Sequence, residues 1–409
     1  MTDPQAIDAR NSTDPIRPVS GAWLLGFAAA WFGFWLLVML PGQFMVVKLA
    51  SVLSPEHKVG VSSFLIAEIA VVILVGIPLI GALSDRTNLA FGRRRSWALA
   101  GFFVAGIPFA LVGLQTSVVV VAGLIFLVAV GKAMILVSLS AMIADQVPVN
   151  QRGRASAAMG IPQVIALAGG MVLVTELVTG IGASWAAVAG IAMLTPLPFL
   201  LLAKEPPLPP VTKDEKLPPF RPADPKYRDF NWAVVSRVLI NAGNLVGTTY
   251  LLYFLADELH MPDPDGALMI LVLIYLATSG VATWFGGWIS DRVHIRRIFV
   301  AIAGTLQAAA ALCLAFVPTW NSAIVAAMLL GAGFGMFLSV DQALVTDTLP
   351  NPRSRARDLG ILNSAHHVPI APVVGWIVLG IAGFTELYLV AALIMIGGSL
   401  AVYRIKHVR

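Results

Sequence analysis

Twelve stretches of roughly twenty or more apolar residues run along this chain, and no other feature restricts its fold so tightly. They cover 22–47, 60–83, 96–116, 118–145, 155–179, 183–203, 232–256, 266–289, 297–317, 321–346, 359–381 and 384–403. A helix of about 20 residues, rising about 1.5 Å per residue, crosses a hydrocarbon core of about 30 Å. The residue content agrees: 58% of the 409 residues are hydrophobic and 12% charged, with mean hydropathy +0.84, whereas soluble domains are about half apolar and about a quarter charged. A transmembrane barrel would show short alternating segments instead of continuous runs. An all-α membrane protein is therefore expected.

The runs fall six and six around one polar insertion, "KEPPLPPVTKDEKLPPFRPADPKYRD" from Lys204, whose prolines favour an extended linker. The expected organisation is a cytoplasmic tail (1–20), a six-helix bundle (21–203), a cytoplasmic linker (204–231), a second six-helix bundle (232–404) and a cytoplasmic tail (405–409). The opening "MTDPQAIDARNSTDPIRPVS" carries Asp3, Asp8 and Asp14 ahead of a full-length apolar run, which is not the pattern of a cleaved signal peptide. Cytoplasmic loops retain Lys and Arg. With both termini inside, only Lys48 and Lys58 of the 27 Lys and Arg fall outside, and only Lys132 and Arg237 fall within spans. The net charge of +5 thus reflects topology; it is dispersed over loops and tails and forms no nucleic-acid stripe. The lone Cys313 lies in a span and excludes an intrachain disulfide.

The two halves repeat. "GALSDRTNLAFGRRRSW" (81–97) follows span 2 and "GGWISDRVHIRRIF" (286–299) follows span 8, with Gly81, Ser84, Asp85 and Arg86 matching Gly287, Ser290, Asp291 and Arg292 at one offset. "AMIADQVPVN" and "ALVTDTLPNP" end spans 4 and 10, aligning Asp145 with Asp347 and Pro148 with Pro350. Homologous halves in the same orientation are related by an axis along the membrane normal. Gly81, Asp85, Arg86, Gly92, Arg93 and Arg94 resemble the signature loop of the major facilitator superfamily, and the resemblance extends over essentially all twelve spans. The longer loop "SDRTNLAFGRRR" is similar to that of the sucrose and glycoside-pentoside-hexuronide transporters, although Ala90 stands where that branch usually has Arg. "SVDQALVTDTLP" (339–350), "RDLGILN" (357–363) and "SRVLIN" (236–241) are similar to bacterial relatives of proton-associated sugar transporters. The resemblance implies twelve helices in two pseudo-symmetric bundles that rock about a central site. It also implies a reversible cytoplasmic gate: Asp85 against the amides that open span 11, worth about 0.3 to 2 kcal/mol, Arg86, Arg93 or Arg94 with Asp145, and Arg292 or Arg297 with Asp347. A purely topogenic arginine cluster would explain the cations but not the duplicated Asp.

A charge inside a span costs at least about 2.5 to 3.5 kcal/mol and tends to mark a pathway. Lys132 lies about 20 Å above Asp145 and Glu68 about 24 Å above Ser84, a difference a lysine side chain can bridge. Arg237 and Asp341 each lie about 9 Å from the cytoplasmic side, which makes them the other expected pair. In the superfamily, spans 1, 4, 7 and 10 line the cavity, so Asp341 and Glu68 become the candidate proton-coupling carboxylates, with Arg237 and Lys132 as partners; a permanent, purely structural ion pair is the competing reading. His366 and His367 enter span 11 about 12 to 14 Å deep; at most one can face a cavity, and they are further proton-coupling candidates because His titrates near neutral pH, with a hydrogen-bonded packing histidine as the competing reading. No third ligand accompanies them, so no metal is expected, and no cofactor. Glu176 reads as interfacial, as do Trp23 and Trp320.

Solute contacts are expected from Trp31 and Trp35, which share a helix face, and from Asn241, Asn244, Thr248, Tyr250, Gln342 and Asn363, although such aromatics more often pack than bind. The sequence shows no phosphate-binding loop or nucleophile triad, so an enzyme is not expected. The reading is a proton-coupled carrier of a sugar or similar polar solute in the cytoplasmic membrane, a monomer without a nucleic-acid partner. The alternative is a proton-driven exporter of an amphipathic compound. Gly160, Pro162, Gly169 and Gly170 in "GIPQVIALAGG" do not have the antiporter spacing.

Overall fold

The computed structural model describes residues 18–87, 91–148, 151–203, 224–293, 296–348 and 368–405. Among the described residues there are twelve main helices and no strand. They are α1 (Gly21–Leu53), α2 (Lys58–Arg86), α3 (Arg93–Val112), α4 (Val118–Gln146), α5 (Arg152–Leu177), α6 (Ile181–Leu202), α7 (Arg228–Glu258), α8 (Pro264–Val293), α9 (Arg296–Phe316), α10 (Trp320–Thr348), α11 (Ile370–Ile381) and α12 (Phe384–Ala401). Eleven contain a segment long and apolar enough to cross a membrane; α11 is shorter, and the beginning of the expected span 359–381 lies outside the described residues. Helices are what such runs must form, because every backbone N–H and C=O in hydrocarbon has to be satisfied within its own segment.

Two boundaries differ from expectation. α1 continues to Leu53 instead of stopping near 47, because a π turn over Pro41–Met45 carries the chain past Pro41 and Gly42 without breaking it. Equivalent π turns close α5 (Leu173–Leu177) and α7 (Phe254–Glu258). α7 starts at Arg228, inside the stretch read as linker, with Asp229 in its first turn, where an acidic side chain suits the positive end of the helix dipole.

The packing repeats with the sequence. In the first half α3 lies on α4, α2 on α4, α3 on α6 and α1 on α5 and α6; in the second, α9 lies on α10, α8 on α10, α9 on α12 and α7 on α11 and α12. The main helix contacts across the halves are α2 with α11 and α5 with α8, and the same twofold relation exchanges them. One close approach is duplicated residue for residue. A Cβ on Gly131 would strike the backbone of Gly101 and Ala105; a Cβ on Gly333 would lie 2.6 Å from the Ala303 carbonyl and 3.2 Å from the Gln307 amide. The positions 101, 105 and 131 become 303, 307 and 333 at the offset that aligns Asp145 with Asp347. Small residues let membrane helices pack through backbone contact, and here they fix α3 on α4 and α9 on α10.

Gly131→Leu and Gly333→Leu should each lower the melting temperature of the detergent-purified protein or abolish its folding, since overpacking costs about 1 to 3 kcal/mol or more. Gly123→Leu should leave it unchanged, because nothing lies within 4 Å of a Cβ there. A thermal-shift series measures all three.

Candidate functional site

The arginine-rich loop after α2 is held by its own half. Arg94 donates from Nε to Asp145 Oδ2 at 2.9 Å and from one terminal nitrogen to the Ser84 hydroxyl at 3.0 Å, while Arg93 stands 3.8 Å from the same carboxylate. Three helix ends, α2, α3 and α4, meet on one guanidinium. Arg95 does different work: it donates to the carbonyls of Leu200 and Leu201 at 2.7 to 2.8 Å and so caps the C-terminus of α6. Arg297 does the same for the chain end after α12, through the Ile405 carbonyl, and Arg95 and Arg297 are related by the 202-residue offset. The expected pairing of Arg292 or Arg297 with Asp347 falls on a side chain outside the described residues. Arg292 stacks its guanidinium 3.8 Å from the Trp288 ring, one turn back on α8. Gly81 would place a Cβ 4.0 Å from Val137, an ordinary contact. The side chains of Asp85, Arg86, Asp291, Gln342 and Asp347 lie outside the described residues, as do Asn363, His366 and His367. The Arg94 to Asp145 contact lies within one half, so it anchors the loop and cannot by itself hold two halves together.

In the interior of the second half, Arg237 of α7 and Asp341 of α10 form an ion pair at 3.2 Å, with side chains only 12% and 7% exposed. Two charges this deep persist because each supplies the other's counter-charge; removal of one would leave a buried charge uncompensated, at about 3 to 5 kcal/mol. The pair joins the first helix of one three-helix repeat to the first helix of the next.

The first half has no such pair among the described residues. Lys132 is 2% exposed, yet no ion pair or hydrogen bond joins it to Glu68, whose Oε2 is buried without a partner. The expected Glu68 to Lys132 contact is thus corrected, and the cause is register. Gly76 lies against Ala133 and Gly81 against Val137, which puts Lys132 level with Val75, seven residues or about 10 Å below Glu68. Counting depth as though Ser84 and Asp145 were level misplaces α2 by more than a turn.

The remaining described candidates make defined contacts. Trp31 is 1% exposed, tilted on Trp35 at 5.7 Å and edge-on to Phe34 at 5.3 Å; its indole N–H is buried and unpartnered. Trp35 donates to the Met159 carbonyl at 2.8 Å. Asn241 donates back to the Arg237 carbonyl, Thr248 to that of Asn244, and Asn244 to Gln307 Oε1 at 2.9 Å. Tyr250 is fully buried at the junction between halves, its hydroxyl 2.7 Å from Ser63 of α2 and 3.3 Å from the Pro372 carbonyl of α11.

That junction extends into a cluster the sequence reading did not assemble. At the end of the bundle away from the chain termini, Lys48 pairs with Asp265 and Lys58 with Asp257, each at 2.6 Å. Tyr253 donates to the Val47 carbonyl at 2.9 Å and the Lys58 carbonyl at 3.2 Å, with the Lys58 ammonium 4.9 Å from its ring. Each of these contacts between residues of different halves fastens one half to the other. The signal was present: Lys48 and Lys58 are the two cations that the charge pattern assigns to the far side, and "ADELHMPDPD" (256–265) supplies the acids.

Two like-built helical halves, fastened to each other at the end away from the termini and holding a buried ion pair between helices, define a membrane carrier. The sequence matches the model of the Major Facilitator Superfamily over residues 22–306 and 238–408, and the chain belongs to that family. No curated protein matches the sequence. Among solved structures, a mutant of the nucleoside transporter NupG is similar at a TM-score of 0.70 and 13% identity, covering 93% of this chain and 99% of that one. A bacterial homolog of the human lysosomal transporter Spinster, in an inward-facing and unoccupied conformation, is similar at 0.62 and 17% identity, covering 94% and 96%. At these identities the likeness is one of fold.

The far-end ion pairs are partly exposed, so each is worth about 0 to 1 kcal/mol and is screened by salt. With spin labels at Val52 and Glu258, neutralising both lysines (Lys48→Gln with Lys58→Gln), or raising ionic strength, should add a longer-distance population. Double electron–electron resonance reads that shift.

Proposed function

We propose that this chain is a secondary active transporter that moves a small polar solute across the cytoplasmic membrane by proton-coupled alternating access, with the termini and the arginine loops on the cytoplasmic side. The observation that carries this is the Arg237 to Asp341 pair at 3.2 Å inside the bundle. A carboxylate that depends on one cationic neighbour for its charge changes its proton affinity when that neighbour is drawn away. Arg237 and Asp341 sit on separate helices, α7 and α10, so movement of one against the other makes or breaks the contact. Proton release then follows the conformational cycle.

The contacts across the halves support a closed far side. Lys48 with Asp265, Lys58 with Asp257, Tyr250 with Ser63, and Tyr253 with Val47 and Lys58 gather where α1, α2, α7 and α8 end or begin. Under the topology set by the distribution of Lys and Arg, this is the outer side, and the molecule is sealed there. Hydroxylated solutes, sugars among them, suit an interior that offers amide and indole donors, and the resemblance of the signature loop to sugar carriers points the same way. The nucleoside transporter likeness adds that this fold accommodates sugar-bearing polar solutes.

Asp341→Asn in proteoliposomes should abolish uptake driven by an imposed proton gradient while leaving solute exchange at equilibrium; unchanged gradient dependence would remove Asp341 from coupling. The exchange of charges, Arg237→Asp with Asp341→Arg, should recover transport above that of either single substitution.

A further inference from the structure

Lys132 is the one cation read within a span that has no counter-charge among the described residues. It sits at about the middle of α4, 2% exposed, and makes no hydrogen bond or ion pair there. Its direction is set by its neighbours. Gly131 faces the α3 backbone and Ala133 faces Gly76 of α2, while Phe126 and Leu127 are the exposed outer face of the helix, 47% and 43% exposed. At about 100° per residue, Lys132 points about 120 to 140° away from those two, into the bundle and away from lipid. Other buried polar groups of this half are without a partner: the indole N–H of Trp31 on α1, which packs on α4, and the hydroxyls of Ser138 and Thr195. Glu68 offers an unpartnered oxygen but lies about 10 Å along the bundle. Among the described residues no carboxylate therefore pairs with Lys132, in a medium where an uncompensated charge is costly.

We propose that the transported solute supplies that acceptor: Lys132 binds a carboxylate on it, and the carrier takes a hydroxylated organic acid, such as a sugar acid, in preference to a neutral sugar. This rests on the carrier reading above and narrows its solute class. The solute's charge then answers the one buried cation for which the described residues provide no partner, while the Arg237 to Asp341 pair stays available for the proton.

Purified full-length protein is tested by thermal shift with D-glucuronate, D-galacturonate, D-gluconate, lactate and benzoate, each at matched ionic strength against D-glucose and D-galactose. At least one carboxylate should raise the melting temperature and its neutral counterpart should not; Lys132→Met should weaken that carboxylate tenfold or more, and Lys132→Arg should retain it. The empty Lys132→Met protein should melt at a higher temperature than the wild type, because an unpaired buried charge has been exchanged for an apolar side chain of similar length; a lysine held for packing would give a lower one. Equal stabilisation by neutral sugars, no response to any carboxylate, or a carboxylate response that survives Lys132→Met would overturn the proposal. Binding of a carboxylate without gradient-driven uptake would sink the coupling role of Asp341 and leave Lys132 in place.

Discussion

Hydrocarbon gives no solvation to a polar group, and each level of this molecule answers that one restriction. At the backbone it forces twelve self-satisfied helices, including the π turns that carry α1, α5 and α7 through their ends. At the helix surfaces it removes the hydrophobic drive to associate, so contact has to come from close packing. The Gly131 approach to Gly101 and its copy at Gly333 and Ala303 supply that contact. At the side chains it restricts interior charge to few positions, among the described residues the Arg237 to Asp341 pair, Lys132 and Glu68.

The two halves use one plan with different fittings. Arg95 and Arg297 cap the last helices of their halves in the same way, and Gly131 and Gly333 seat the same helix pair. Among the described residues the ion pair well inside the spans, by contrast, occurs on α7 and α10, and the lone buried lysine on α4. Architecture follows the duplication, whereas the charge inside the spans does not.

Much of this was legible in the sequence, and the lapses have physical causes. Apolar length marked the helices, and the repeated "SDR" marked the halves. Depth alone pairs Arg237 with Asp341, which succeeds when both residues are counted from nearby helix ends. The same arithmetic fails for Glu68 and Lys132, because depth is counted over a longer distance from loops that are not level, and the error grows past one turn. The far-end cluster escapes for another reason: Lys48, Lys58, Asp257 and Asp265 lie in or beside connections whose spatial neighbours no periodicity reveals. Tyr250, expected as a solute contact, lies buried against Ser63 of the other half, a partner that no helix periodicity reveals.

The symmetry of the contacts between halves has a consequence for traffic from the side. The main helix contacts across the halves are α2 beside α11 and α5 beside α8, two seams that the internal axis interchanges. Anything that reaches the interior from the bilayer, a lipid tail or a detergent molecule, must spread open either seam. The α2 seam is fastened by Tyr250 and Ser63, with Gly60 lying against Trp376, whereas the side-chain hydrogen bond across the α5 seam among the described residues is that of Thr175 to the sulfur of Met269. The two seams correspond by symmetry yet differ in their fastening, so the methionine side is the weaker of the two against a molecule that parts the halves from the bilayer.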